Sequence, residues 1–168
     1  MSIEKPIEKD ELVDAFSRWA TGVTIVTARA GDRVLGMTVS AFTEVSLDPP
    51  LVLVCADKTS NTHPLIAESQ AFAVHILRRD QEELSNLFAS KEDEHRRFDD
   101  LDYQSGATGA PLLAGAIARF DCRVRDAHDA GDHFIYVGEV VDLQLGEVGN
   151  PADGPLMFFD RKYRSLTE

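Results

Sequence analysis

Ala118-Arg119-Phe120-Asp121-Cys122-Arg123-Val124-Arg125 is the stretch whose reading decides the fold. Ala118, Phe120, Cys122 and Val124 fall on one side and the four charged residues on the other, the period of two that marks a β-strand. After a turn around Gly131, the residues Ile135, Val137, Val141, Leu143 and Leu145 repeat the pattern, interrupted by Glu139. Two long strands closed by a glycine turn predict an antiparallel hairpin at the heart of a β-rich protein.

Upstream, Leu51-Val52-Leu53-Val54-Cys55 is apolar on both faces and is expected to be a strand buried on both sides. Asp48-Pro49-Pro50 breaks the chain before it. Earlier still, Val23-Thr24-Ile25-Val26-Thr27 is dense in β-branched residues, and Ala30-Gly31-Asp32 turns the chain into a strand running from Val34 towards Phe42. Phe72 to Leu77 and Leu156 to Phe159 read as further strands, the last followed by a basic and aromatic tail, Arg161-Lys162-Tyr163-Arg164. Helices enter only as insertions. One is expected to begin at Asp10 as N-cap, present Leu12, Val13, Phe16, Trp19 and Ala20 on one face, and stop at Gly22. A second starts near Thr62 with Pro64 in its first turn. A third opens on a capping box of Asp80 and Glu83 and presents Leu84, Leu87 and Phe88. The charged run from Lys91 to Asp102 reads as solvated. This pattern predicts a mainly β fold, a closed or partly closed antiparallel barrel with inserted helices.

The 168 residues suffice for one domain over positions 1–168, with its core at about 10–163. A net charge of −12 and a pI near 4.8 argue against nucleic acid or anionic lipid as partners. Cys55 and Cys122 sit in apolar runs, as reduced thiols do. No apolar stretch approaches the roughly 20 residues of a membrane span, and MSIEKPIEKDE is too polar for a signal peptide. The expectation is a cytoplasmic globular protein.

Generic catalytic motifs are missing. The sequence holds no G-x-G-x-x-G, P-loop, H-E-x-x-H or C-x-x-C, and Ser40 lacks the glycines of a nucleophile elbow. His128, Asp129, Asp132 and His133 cluster as hairpin residues do rather than as metal ligands. Two segments stand out. Gly36-Met37-Thr38-Val39-Ser40-Ala41-Phe42 carries small and hydroxylated residues that suit the underside of a planar ring, although an edge strand with a polar face would look the same. Ala56-Asp57-Lys58-Thr59-Ser60-Asn61-Thr62-His63-Pro64 ends a strand in hydroxyls and a lysine and then begins a helix. That arrangement suits a phosphate, and equally an N-capped surface turn.

In register, these pieces resemble the flavin reductase family, the reductase components of two-component flavin monooxygenases. The resemblance rests on Ala20-Thr21-Gly22-Val23-Thr24-Ile25-Val26-Thr27, the 36–42 segment, Ser46 to Val52, Gly106 to Leu112 and Gly131 to Val140. It covers Phe16 to Tyr163 and implies an FMN-binding split β-barrel, a homodimer and an oxygenase partner that receives reduced flavin. By the same resemblance, Thr38, Val39, Ser40 and Ala41 lie along the isoalloxazine and ribityl chain, and Cys55, Ala56, Asp57 and Lys58 border the ring. Ser60, Asn61 and Thr62 hold the phosphate with help from Lys91, while His133, the implied catalytic residue, and Tyr163 lie near the nicotinamide. The implied cofactors are FMN or FAD, and NADH, which is favoured because no arginine cluster for a 2′-phosphate is evident. Direct hydride transfer needs no nucleophile from the protein, which agrees with the motif inventory. The competing expectations are a flavin-storing module and an oxidase of the pyridoxamine-phosphate type, which would need a basic pocket for a second phosphate.

Overall fold

The computed structural model describes residues 6–92, 94–146 and 154–166, so the first five residues of the polar N-terminal stretch lie outside it. Strands follow as β1 (Thr21–Gly22), β2 (Thr24–Ala30), β3 (Arg33–Val39), β4 (Phe42–Leu47), β5 (Pro50–Asp57) and β6 (Ala71–Ile76). Then come β7 (Tyr103–Ser105), β8 (Pro111–Leu113), β9 (Ala118–Ala130), β10 (His133–Leu145), β11 (Met157–Phe159) and β12 (Lys162–Arg164). The helices are α1 (Lys9–Ser17), α2 (Thr62–Ser69) and α3 (Glu82–Ala89).

Seven strands form one antiparallel sheet in the order β3-β2-β6-β9-β10-β5-β4. Its two edge strands, β3 and β4, are joined by Ser40 and Ala41 alone. Three Cα steps span at most about 11 Å. The sheet must therefore roll until its edges nearly meet, and the Cys55 N–H, donating to the Ala41 carbonyl at 3.0 Å, carries the β4–β5 ladder into the link. What results is a barrel with one slot, between β3 and the β4–β5 pair.

The barrel interior holds Val26, Val54, Phe72, Val74, Cys122 and Tyr136, joined by Leu65 and Ile66 of α2. A second cluster, Val23, Ile25, Leu77, Phe88, Leu113 and Leu156, lies outside the barrel wall beneath α3. β2 thus contributes to both clusters and is buried on both faces, as is β6 beside it. Expectation had assigned that place to Leu51–Cys55. There Val52 and Val54 are buried, but Leu51, Leu53 and Cys55 are only partly covered. The strand expected from Val34 to Phe42 is broken at Ser40–Ala41, where the chain crosses from one sheet edge to the other.

Similar reasons account for the other departures. β10 turns Tyr136 inward, and Gly138 lies under the Phe72 ring so closely that a Cβ there would sit 2.4 Å from it. Register shifts at Val137/Gly138 and Val140/Asp142 follow, and Val141, Leu143 and Leu145 end up exposed rather than buried. Asp121, expected outside, is buried because it accepts the Thr108 N–H at 2.8 Å and the Thr108 hydroxyl. α1 has Glu8 rather than Asp10 at its N-cap and ends at Ser17; Gly22 belongs to β1. Its apolar stripe is uncovered, with Phe16 67% and Trp19 77% exposed. α3 has Gln81 at its N-cap and no capping box, since the Asp80 carboxylate pairs with Arg78 at 2.7 Å. Within the charged run, Arg97 is buried, and Phe98 and Leu101 pack on the second cluster.

His75 on β6 is fully buried between two fixed partners. Its Nδ1–H donates to the Ile25 carbonyl at 2.9 Å, and its Nε2 accepts the Leu113 N–H at 3.0 Å, so the neutral ring fits both. Burial pushes its pKa down to about 4 from 6.5. The folded state then resists the proton that the unfolded chain accepts, so stability is complete above about pH 6.5 and declines as the pH falls towards 4. Between pH 7 and 5 this group should remove about 2 kcal/mol. Urea titrations of the parent and His75→Gln at both pH values test this: the parent should lose about 2 kcal/mol more than the variant. Parallel losses would contradict it.

Candidate functional site

The slot opens into two adjoining cavities. One, of about 240 Å³, is lined by Met37, Thr38, Val39, Ser40 and Ala41, by Cys55 and Asp57 of β5, and by His133 of β10. The other, of about 180 Å³, shares Met37, Thr38 and Asp57 and adds Thr59, Ser60, Lys91, Glu94 and Arg97. A larger apolar hollow of about 520 Å³ adjoins the first at Ser40 and Ala41 and is walled by Phe16, Trp19, Leu53 and Phe158.

Strand pleat decides what each lining residue offers. Val39 and Ala56 turn their side chains into the core; Val39 still borders the first cavity, its carbonyl accepting the Thr24 hydroxyl at 2.6 Å, while Ala56 lines neither cavity. Ser40 and Ala41 are exposed at the crossing. Thr38 donates its hydroxyl to the Ser85 carbonyl at 2.6 Å, so only lone pairs remain for a ligand. Tyr163 lines neither cavity. Its hydroxyl meets Ser85 Oγ at 2.8 Å and Asn86 Oδ1 at 3.0 Å, and so braces α3 behind Thr38.

At the β5 end, burial pushes the Cys55 thiol up, so it stays protonated. The Thr59 backbone N–H, donating at 2.7 Å, holds the Asp57 carboxyl below its ordinary range, with His133 and Lys91 adding attraction. His133 lies directly opposite Asp57 in the β5–β10 ladder. Its Nδ1 is 2.7 Å from the Asp132 carboxylate; a carboxylate only accepts, so Nδ1 carries the hydrogen. That contact holds the Asp132 carboxyl down in turn.

Lys58 is not brought into the slot. Its ammonium pairs with Asp129 at 2.8 Å, donates to the Gly131 carbonyl at 2.7 Å and sits 5.1 Å from the Phe134 ring centre, at the tip of the β9–β10 hairpin. Asn61 likewise lines neither cavity and bonds Glu94. Ser60 accepts the Thr62 N–H at 3.1 Å, and Lys91 donates to Thr59 at 3.1 Å. Thr62 is fully buried, and its hydroxyl has no partner among the described residues. Sequence reasoning missed Met37, Thr59, Glu94 and Arg97. For Arg97 a signal existed, since Phe98 interrupts the charged run beside it.

The slot therefore offers a floor of backbone and small side chains at one end, and hydroxyls with two cations at the other. A ligand with a flat ring and a distant anion fits that polarity, while Thr62, fully buried, is not among the residues that line either cavity. Comparison with known proteins agrees. Residues 16–167 match the family described as flavin reductase like domain. The FMN reductase (NADH) SmoA of Agrobacterium fabrum is 48% identical over 76% of this chain and 72% of its own. Nitrilotriacetate monooxygenase component B of Mycobacterium thermoresistibile superposes with a TM-score of 0.88 at 34% identity, covering 95% of this chain and 87% of that one. The NADH:FAD oxidoreductase of Streptomyces globisporus, solved with NAD and FAD fragments, gives 0.86 at 34% identity over 99% and 98%.

Thr62→Val separates a ligand-directed hydroxyl from a structural one. Removing an unpaired buried hydroxyl should leave ligand-free stability within about 1 kcal/mol, while FMN affinity falls about tenfold. Melting curves and fluorescence titration read the two effects. A large loss of stability with unchanged FMN binding would show that the hydroxyl serves the fold.

Proposed function

Because the chain belongs to the flavin reductase family, we propose that it oxidises NADH to supply reduced FMN or FAD to a partner monooxygenase. The observation that carries the reading is the slot itself, whose floor at 38–41 leads to the Thr59 and Ser60 hydroxyls and to the cations Lys91 and Arg97. Bound flavin would supply the hydride-accepting chemistry. The chain's own residues bind, orient and shield.

In this reading Thr38, Val39, Ser40 and Ala41 support the isoalloxazine and ribityl chain, the first through acceptor lone pairs and the others largely through backbone. Cys55, Ala56 and Asp57 border the ring. Ser60, Thr62 and Lys91 serve the phosphate, Asn61 holds Glu94 beside them, and Lys58 braces the hairpin that carries His133. His133 stands at the mouth with its Nε2 free of the Asp132 contact, which suits a group that orients the nicotinamide. Tyr163 acts from behind, through Ser85. No tetrad of basic side chains lines the described slot, which supports NADH over a dinucleotide bearing a further phosphate.

The active form in this proposal is a homodimer. The uncovered stripe on α1, the outer face of β5 and the apolar hollow beside Ser40 are surfaces that a second copy would cover. One domain in the cytoplasm completes the reading, supported by a family match that spans the chain and by two free cysteines.

Given NADH, flavin and air, the purified chain should consume NADH with no aromatic compound present. His133→Ala should slow this on the order of tenfold or more, or raise the Michaelis constant for NADH, because small errors in hydride-donor placement are costly. Its melting temperature should stay near the parent's. A strict need for an aromatic substrate would point to a one-component oxygenase, and a fast but unstable variant would make His133 structural.

A further inference from the structure

Arg97 follows a single 3₁₀ turn, Glu94–Arg96, yet its side chain is only 2% exposed. Burying a cation is costly unless a charge answers it. Its terminal nitrogens donate to the carbonyls of Gly36 and Ser90, which are neutral acceptors. The Glu94 carboxylate stands 3.5 Å away and is also engaged by Asn61. Arg97 Nε is buried with no partner among the described residues. Arg97 also lines the second cavity, together with Lys91, Thr59 and Ser60. Asp57, the other carboxylate there, is turned to the Thr59 N–H.

Resting on the flavin reductase reading, we propose that Arg97 determines specificity, its charge joining that of Lys91 to favour flavins ending in phosphate over riboflavin. A phosphate brings the negative charge and acceptor oxygens that this under-neutralised guanidinium lacks. Riboflavin ends in a neutral alcohol and would leave both cations unanswered. The need is sharpened by the net charge of −12, which repels anionic flavins everywhere else.

Fluorescence titration of the full chain with FMN and with riboflavin tests the proposal. The parent should prefer FMN about tenfold or more. Arg97→Met should weaken FMN binding about ten- to a hundredfold and change riboflavin binding little. Arg97→Lys keeps the charge but loses the fork that reaches Gly36 and Ser90, and should keep most of the FMN preference. An unchanged preference in Arg97→Met, or a lysine variant as poor as the methionine one, would make Arg97 a brace and overturn the proposal. Should Arg97→Met not fold, Arg97→Gln, which keeps hydrogen-bond donors without the charge, takes its place: it should lose most of the FMN preference, and an unchanged preference overturns the idea. A parent that discriminates FMN from riboflavin but leaves NADH untouched defeats the reductase reading alone. A parent that binds neither flavin defeats both.

Discussion

Two residues, Ser40 and Ala41, carry the chain between the opposite edges of a seven-stranded sheet, and the remaining architecture answers to that short span. So short a link forces the sheet to close, and closure creates both the interior that Phe72 and Tyr136 fill and the slot beside the link. Crossing residues cannot also pair as an ordinary strand, so their backbone groups stay at the seam. A seam lined by backbone and small side chains accepts a flat ring, whereas a fully paired barrel wall would not. The same geometry sets His133 opposite Asp57, because β10 pairs with β5 on one side and β9 on the other.

Much of this was legible in sequence. The alternation at 118–125, the glycine turn at Gly131 and the β-branched run at 23–27 all correspond to strands in the sheet. Which strands are buried twice was not legible, because the β5 run is more apolar than β2 and only what packs outside the wall, α3 among it, separates the two. Phase in β10 was misread since Gly138, with no side chain, is the inward position that receives Phe72, and the register shift at Val140/Asp142 reverses the pattern after it. Helix caps failed for a local reason: Asp80 was drawn to Arg78 two residues away. Asp121 looked like a solvent residue because alternation says nothing of a loop, here at Thr108, that folds back over it.

At the site, the segment 38–41 and the positions Cys55, Asp57, Ser60, Lys91 and His133 do come together around one continuous slot. The family resemblance had grouped Lys58 with them. Its long side chain instead reaches Asp129, a partner 71 positions away in sequence that only the folded hairpin brings near. Beside Lys91 the slot holds a second cation, Arg97, hidden in a run whose charge suggests solvent. An acidic protein that must hold an anionic ligand gains most from cations placed where water is excluded, since screening and self-repulsion weaken exposed ones.

The most direct measurement is hydrogen exchange at backbone amides with and without FMN. Amides whose carbonyl or N–H groups face a bound ring or phosphate exchange more slowly when the ligand is present. The account predicts new protection concentrated at residues 38–41 and 57–62, with the β7–β8 region at 103–113 unchanged. Protection centred on 103–113, or none in the slot under saturating FMN, would contradict it.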